Sequence, residues 1–208
     1  MGVYSLNDQP LNFEQEQQFN NKILKYISSH DLVIVSDYGH GLISDNTAKL
    51  IIKNSKFLAV NTQLNASNLG FHVISKYFGA NLITINENEL RHELRNKTDD
   101  VILLLKKLSK KLRSIYTNVT CGKAGAHIYN SSKDKIINCP AFATKVIDKV
   151  GTGDSMLALL AISLYKKFDI NFSMFLSALA AAYNIQYMAN KTPLNKAYIT
   201  KAAQSYLK

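Results

Sequence analysis

The sequence predicts an α/β fold built on a mostly parallel sheet, and three features carry that prediction. Short apolar runs alternate with segments of helical period. The connecting loops are short and polar. Six of the nine glycines fall in three pairs, each just beyond an apolar run. Buried strands separated by helices call for a sheet covered on both faces.

The elements follow in order. Phe13, Phe19, Ile23, Leu24, Tyr26 and Ile27 recur at helical spacing over residues 12 to 29, after Pro10, which predicts an amphipathic helix. Leu32 to Val35 predict a buried strand running into the loop Ser36-Asp37-Tyr38-Gly39-His40-Gly41. A second unit has a helix from Asp45 to Asn54, a strand from Phe57 to Asn61 and a loop rich in Asn and Ser. In the third, Leu82 to Ile85 form a strand and Asn86-Glu87-Asn88-Glu89 open a helix. A helix from about Asp99 to Leu112 and a strand from Ser114 to Thr120, ending at Cys121-Gly122, come next. Ala126 to Tyr129 and Lys135 to Cys139, joined by a polar turn, predict a hairpin. From Gly153 onward the pattern is helical, over 153 to 167, 172 to 190 and 195 to 207, the last set off by Pro193. With no repeat, low-complexity tract or linker, residues 1 to 208 are read as a single domain.

A chain of 208 residues, 47% of them apolar, buries enough surface to need no disulfide or metal staple. Its two cysteines, Cys121 and Cys139, exclude a disulfide scaffold and are read as small buried hydrophobes. The first 20 residues lack the basic and apolar regions of a secretory signal. The apolar stretches around Leu157 to Leu164 and Phe175 to Met188 fall short of the roughly 20 residues a bilayer span requires. A cytoplasmic protein without membrane insertion is therefore expected. Lys+Arg number 25 against 15 Asp+Glu, a formal charge of +10. The lysines are spread out, and the densest cluster, Lys106, Lys107, Lys110 and Lys111, has the spacing of a solvated helix face. No nucleic-acid partner is expected; the charge favours any anionic ligand, a nucleotide included.

The glycine pairs, Gly39 with Gly41, Gly122 with Gly125 and Gly151 with Gly153, mark one candidate site. Ligands of open parallel sheets bind beyond the carboxyl ends of the strands, where glycine lets backbone approach them closely. The sharpest segment is Asp148-Lys149-Val150-Gly151-Thr152-Gly153-Asp154-Ser155, which leads into an apolar helix. Glycines at a helix start leave N–H groups uncovered, and the helix dipole adds to their attraction for phosphate. Asp154 then holds a carboxylate where it can take a proton from an attacking hydroxyl. On spacing alone, a first-turn aspartate that merely favours the helix dipole fits equally well. The segment lacks the Gly-Lys-Ser/Thr ending of a Walker A loop.

Asp148 to Asp154 resembles the C-terminal signature of the ribokinase-like (PfkB-type) sugar kinases, Asp-Thr-x-Gly-Ala-Gly-Asp. Ser36-Asp37-Tyr38-Gly39, Asn86-Glu87-Asn88-Glu89 and Thr120-Cys121-Gly122-Lys123-Ala124-Gly125-Ala126 agree with that family in order and spacing. The Ser-Asp-Tyr-Gly-x-Gly form is closest to its heptose-phosphate kinase branch, which supplies lipopolysaccharide precursors. The resemblance implies a three-layer α/β/α fold and ATP-dependent phosphorylation of a sugar or sugar phosphate.

By the same resemblance, Asp154 would be the catalytic base, and Gly151, Thr152 and Gly153 would donate N–H groups to the transferring phosphoryl. Asn86 and Glu89 would organise Mg²⁺ and its waters; by spacing alone the same pair is a helix cap. Thr120, Gly122 and Gly125 would border the nucleotide. Ala180 to Asn190, Asn184 included, would lie near the adenine, although as bare sequence it reads as core. Asp37 is a candidate substrate contact, with a turn-capping role as the alternative. His40 is read as a loop residue, and a monovalent cation such as K⁺ is left open.

The chain departs from the pattern at Lys149, where Thr is usual, at Thr152, where Ala is commonest, at Asn61, where the heptose branch has Asp-Pro, and at His40, often Lys. Family members run to about 300 residues, so the chain is expected to lack their N-terminal third, which carries the lid sheet and a sugar-binding Asp. Such a loss bares a sheet edge. The expected partners are then nucleotide, sugar, and either a second copy or a separate N-terminal chain. The alternative functions are a non-catalytic nucleotide-binding relic or regulatory module of the same fold and, least favoured, a basic nucleic-acid-binding domain.

Overall fold

The computed structural model describes residues 9–64, 74–143, 145–188 and 192–207. Its centre is a six-stranded sheet in sequential order: β1 (Val33–Asp37), β2 (Leu58–Thr62), β3 (Leu82–Asn86), β4 (Tyr116–Thr120), β5 (Ala126–Asn130) and β6 (Lys135–Cys139). The first four strands are parallel, and the predicted hairpin β5–β6 continues the sheet in antiparallel sense. The expected three layers are present.

Strand periodicity divides the core in two. Val35, Leu58, Val60, Ile83, Ile85 and Val119 face one side. They pack there against α1 (Phe13–Ile27), α2 (Asp45–Asn54), α3 (Glu87–Glu93), α4 (Val101–Leu112) and a 3₁₀ turn, Ile74–Tyr77, that the sequence reading did not anticipate. Ala59, Leu82, Ala126, Ile128 and Ile137 face the other side, under α5 (Thr152–Tyr165) and α6 (Ile170–Asn184). Alternation along each strand thus sends neighbouring residues into different layers. α7 (Lys196–Tyr206) packs on α6 through Tyr198 and Tyr183, whose ring centroids are 4.6 Å apart.

The amphipathic helices α1, α2 and α4 bury one face each, with Leu104, Leu105, Leu108 and Leu112 of α4 on the sheet. Its opposite face carries the lysine cluster: Lys106 pairs with Asp134, Lys107 with Asp99 and Lys111 with Glu93. This is the solvated face that the spacing predicted. α5 is apolar on most of its circumference because the sheet lies beneath it and α6 packs beside it. The helix expected over 172 to 190 spans Ile170–Asn184; positions 189 and 190, like the Asn- and Ser-rich loop at 65–73, lie outside the described residues. Among the described residues no helix is long and apolar enough to cross a membrane.

Candidate active site

The parallel strands end on one side of the sheet, and the candidate residues gather there. α5 begins at this end, and its start differs from that of every other α-helix described. Side chains of Asn12, Ser44, Asn86, Asp100, Asp169 and Asn195 cap the other six. α5 instead has Gly151 at its N-cap, with φ +74° and no side-chain hydrogen bond. That left-handed conformation suits glycine. The first N–H groups of a helix have no partner within it; at the start of α5, Thr152 N–H donates to Lys149 O at a long 3.3 Å, and Gly153 N–H has no partner among the described residues, which leaves it available to an anion. A Cβ placed on Gly153 meets nothing within 4 Å; the space beside this turn is open.

Asp154 stands half-buried in the first turn of α5. Ser36 Oγ donates to its Oδ1 at 2.9 Å, and Tyr38 OH donates to Oδ2 at 3.4 Å. These two residues, more than a hundred positions away in sequence, were not among the predicted site residues. A signal was available: Val35 is buried toward α1 and α2, so period-2 alternation turns Ser36 to the α5 side.

The same alternation turns Asp37 the other way, and of the two readings weighed for it the turn-capping one is formed. It points into the opposite layer, 6% exposed. There its Oδ2 pairs with Lys76 Nζ at 2.6 Å and accepts from Tyr77 OH at 2.6 Å, and its Oδ1 accepts from Gly39 N–H at 2.9 Å. Burial alone would raise its pKa, but Lys76, Tyr77 and the Gly39 N–H together hold the carboxyl below its ordinary value. Lys76 also donates to Ile43 O. Asp37 therefore fixes the loop that carries Tyr38 and faces away from Asp154.

Asn86 closes β3 and caps α3. Its side chain accepts from Glu89 N–H at 2.9 Å, and Glu89 accepts from Asn86 N–H at 3.0 Å and from Leu64 N–H at 3.2 Å. The capping box weighed from the sequence is thus formed. Burial raises the Glu89 pKa against the pull of these N–H donors, so a cation beside this carboxylate would relieve a desolvation penalty. No group of three or more His, Cys, Asp or Glu able to hold a metal occurs among the described residues. The donor set fits Mg²⁺ only in a form that keeps several waters and phosphate oxygens.

Thr120 lies beside Asn86 in the β3–β4 register. Gly122, with nothing within 4 Å of an added Cβ, faces open space. Gly125 has a different reason to be glycine: an added Cβ would stand 2.1 Å from the Cys139 carbonyl oxygen. Asn184 is 8% exposed, and its Nδ2 donates to Ser155 Oγ at 2.7 Å, tying the end of α6 to the start of α5. Ile147 and Asp148 N–H groups donate to Ile185 O and anchor the preceding loop on the same helix end. Burial pushes the Cys121 and Cys139 thiols up to about 11, which removes them as nucleophiles at neutral pH.

Comparison with known proteins bears on the family and the fold. The family model for pfkB family carbohydrate kinases matches residues 4–197. The bifunctional protein HldE of Campylobacter fetus is 33% identical over 165 residues, 78% of this chain and 35% of that protein. HldE of Campylobacter curvus is 28% identical over 181 residues, 85% and 37% respectively. The chain thus spans little more than a third of the length of these relatives. Phosphofructokinase-2 from Escherichia coli, solved in complex with potassium, superposes with a TM-score of 0.77 at 17% identity, over 95% of this chain and 63% of its own. A ribokinase from Arabidopsis thaliana, complexed with ribose and ATP, gives 0.65 at 18% identity, over 81% and 54%. With a family model covering nearly its whole length, the chain belongs to the pfkB family of carbohydrate kinases.

Proposed function

We propose that this chain carries out the phosphoryl-transfer chemistry of an ATP-dependent carbohydrate kinase. The observation that carries the reading is the open start of α5 with Asp154 in its first turn. Backbone N–H groups at Gly151, Thr152 and Gly153 hold the terminal phosphate of ATP and follow its charge into the transition state. The sugar hydroxyl oxygen bonds to that phosphorus while the bond to the ADP oxygen breaks, and Asp154 takes the hydroxyl proton. Ser36 and Tyr38 orient the carboxylate. Asn86 and Glu89 would hold Mg²⁺ through water, and the ion would neutralise phosphate charge. Thr120 and Gly122 border the nucleotide; Asn184 acts by bracing Ser155.

The acceptor is a sugar or sugar phosphate, with a heptose phosphate as first candidate on the strength of the Ser36–Gly41 motif and the HldE relatives. A K⁺ requirement is worth testing because a structural neighbour was solved with potassium. Among the described residues β1 pairs on one side only, beside Ser36 and Asp154. This free edge supports a partner, either a second copy or a chain that supplies further strands.

The test is a pair of measurements on the full chain and on Asp154→Asn. Mg-ATP titration should give equal affinities. Transfer to a panel of sugar phosphates should fall by about 10²–10⁴-fold in the variant. A folded wild type that fails to bind Mg-ATP removes the reading and leaves a relic of the fold; binding without transfer, with every acceptor and candidate partner, leaves a regulatory module.

A further inference from the structure

Beneath the first turns of α5 the sheet carries a transverse row of polar side chains. Ser36, Asn61, Thr84 and Asn118 are successive register partners on β1 to β4, and all four face α5. The row is unusual for a helix-covered parallel sheet, whose central positions are normally apolar; along the same face Ala59 and Leu82 lie within the strands, and Ile128 continues the row into β5. Ser36 reaches Asp154, and Asn61 Nδ2 donates to the Thr84 carbonyl at 3.0 Å. Thr84 and Asn118 are 1% and 0% exposed. Asn118 Nδ2 finds only Met156 Sδ, at 3.8 Å.

Three oxygens in this region are buried and make no hydrogen bond with the protein: Thr84 Oγ1, Asn118 Oδ1 and Thr152 Oγ1. Thr84 and Asn118 are adjacent across β3 and β4. Thr152 lies one helical turn before Met156, the residue against Asn118, and so on the same stripe of α5. An unmet buried hydroxyl or amide carries a desolvation penalty, and three together call for a shared partner. The chemistry selects it. No ionised side chain belongs to the inner part of the row, and the positive end of the α5 dipole above it disfavours a cation. An amide carbonyl that accepts and hydroxyls that both donate and accept suit a neutral molecule with two donors and two acceptors.

We propose that this row is an internal water site, in which a buried water bridges Thr84 and Asn118 on the sheet to Thr152 in the first turn of α5. The bridge ties the Gly151–Gly153 turn, which has no capping side chain, to the sheet beneath it.

The site is independent of turnover and can be tested without it. A high-resolution crystal structure of the full chain should place a water within about 3 Å of Thr84 Oγ1 and Asn118 Oδ1. Those oxygens bonded to protein groups, or facing carbon with no density between them, would overturn the proposal. In solution, ¹⁷O water relaxation dispersion should lose one long-lived water in Thr152→Val and retain it in Thr152→Ser. Thr84→Val gives the same reading should the first variant fold poorly, and an unchanged count in both overturns the site. Tripolyphosphate affinity should fall about three- to tenfold in Thr152→Val and recover in Thr152→Ser; equal affinities would refute the tether. Asp154→Asn keeps the water, so a failure of the kinase reading and a failure of this one are read separately.

Discussion

α3 and α5 both begin at the carboxyl ends of the strands, yet their first turns are built in opposite ways. α3 closes itself: Asn86 and Glu89 exchange hydrogen bonds between side chain and backbone, and the carboxylate is largely buried in doing so. α5 begins on a glycine that offers no side chain. A Ser, Thr, Asp or Asn cap is worth only about a few tenths of a kcal/mol over glycine, and α5 alone among the seven α-helices described forgoes it. The contrast teaches that the proposed anion site is written partly in what the sequence withholds. One helix start has no side chain over its first turn, which is the feature the phosphate proposal rests on; the other presents a desolvated carboxylate, on which the proposal of a hydrated cation rests.

The most direct way to break the comparison is to fill the open start. Gly153→Val adds a side chain where a Cβ meets nothing within 4 Å, so the melting temperature should hardly move. Tripolyphosphate affinity, read by calorimetry, should fall about ten- to a hundredfold, the worth of one or two hydrogen bonds to a charged ligand. Unchanged affinity would mean that the α5 start is not where anions bind. The complementary change, Asn86→Ala, opens the closed start. It should destabilise the fold by about 1 kcal/mol, a fall of about 2–4 °C in Tm at this size. Magnesium-free tripolyphosphate binding should be unaffected, because α3 contributes no N–H to the anion.

Much of this arrangement is legible in the sequence, because the signals are local. Apolar runs such as Leu82–Ile85 and the leucines of α4 mark their elements to within a few residues, and the Gly151–Asp154 segment announces an unusual helix start. The residues that complete the site are less visible because they depend on long-range pairing. Ser36 meets Asp154 across 118 positions, a contact that only the parallel sheet creates. Asp37, one step along, is drawn by strand alternation to Lys76 and Tyr77, where a conspicuous loop carboxylate becomes part of the frame. Asn61, Thr84 and Asn118 look like unrelated polar interruptions of three strands until register aligns them. Gly125 shows the converse: a glycine in a ligand-binding motif that the Cys139 carbonyl already requires.

The smallest expected effect sharpens the comparison from the α3 side. Burial raises the Glu89 pKa above its ordinary value, so between the unfolded and folded values the native state binds more protons than the unfolded chain. Stability contributed by this group must then fall as pH rises from the ordinary glutamate range through the raised folded value. Glu89→Gln keeps the capping box, since glutamine serves at that position, and removes the titration. The stability difference between wild type and variant, followed by thermal melts from about pH 3.5 to 7, should therefore drift against the wild type as pH increases; a flat difference would show that burial of the carboxylate carries no penalty. Repeating the series with Mg-ATP should flatten the drift in the wild type, because a cation beside Glu89 stabilises the ionised form that burial disfavours. ATP alone, bound at the α5 start, should leave the drift in place, and this difference in response separates a cation-ready helix start from an anion-ready one.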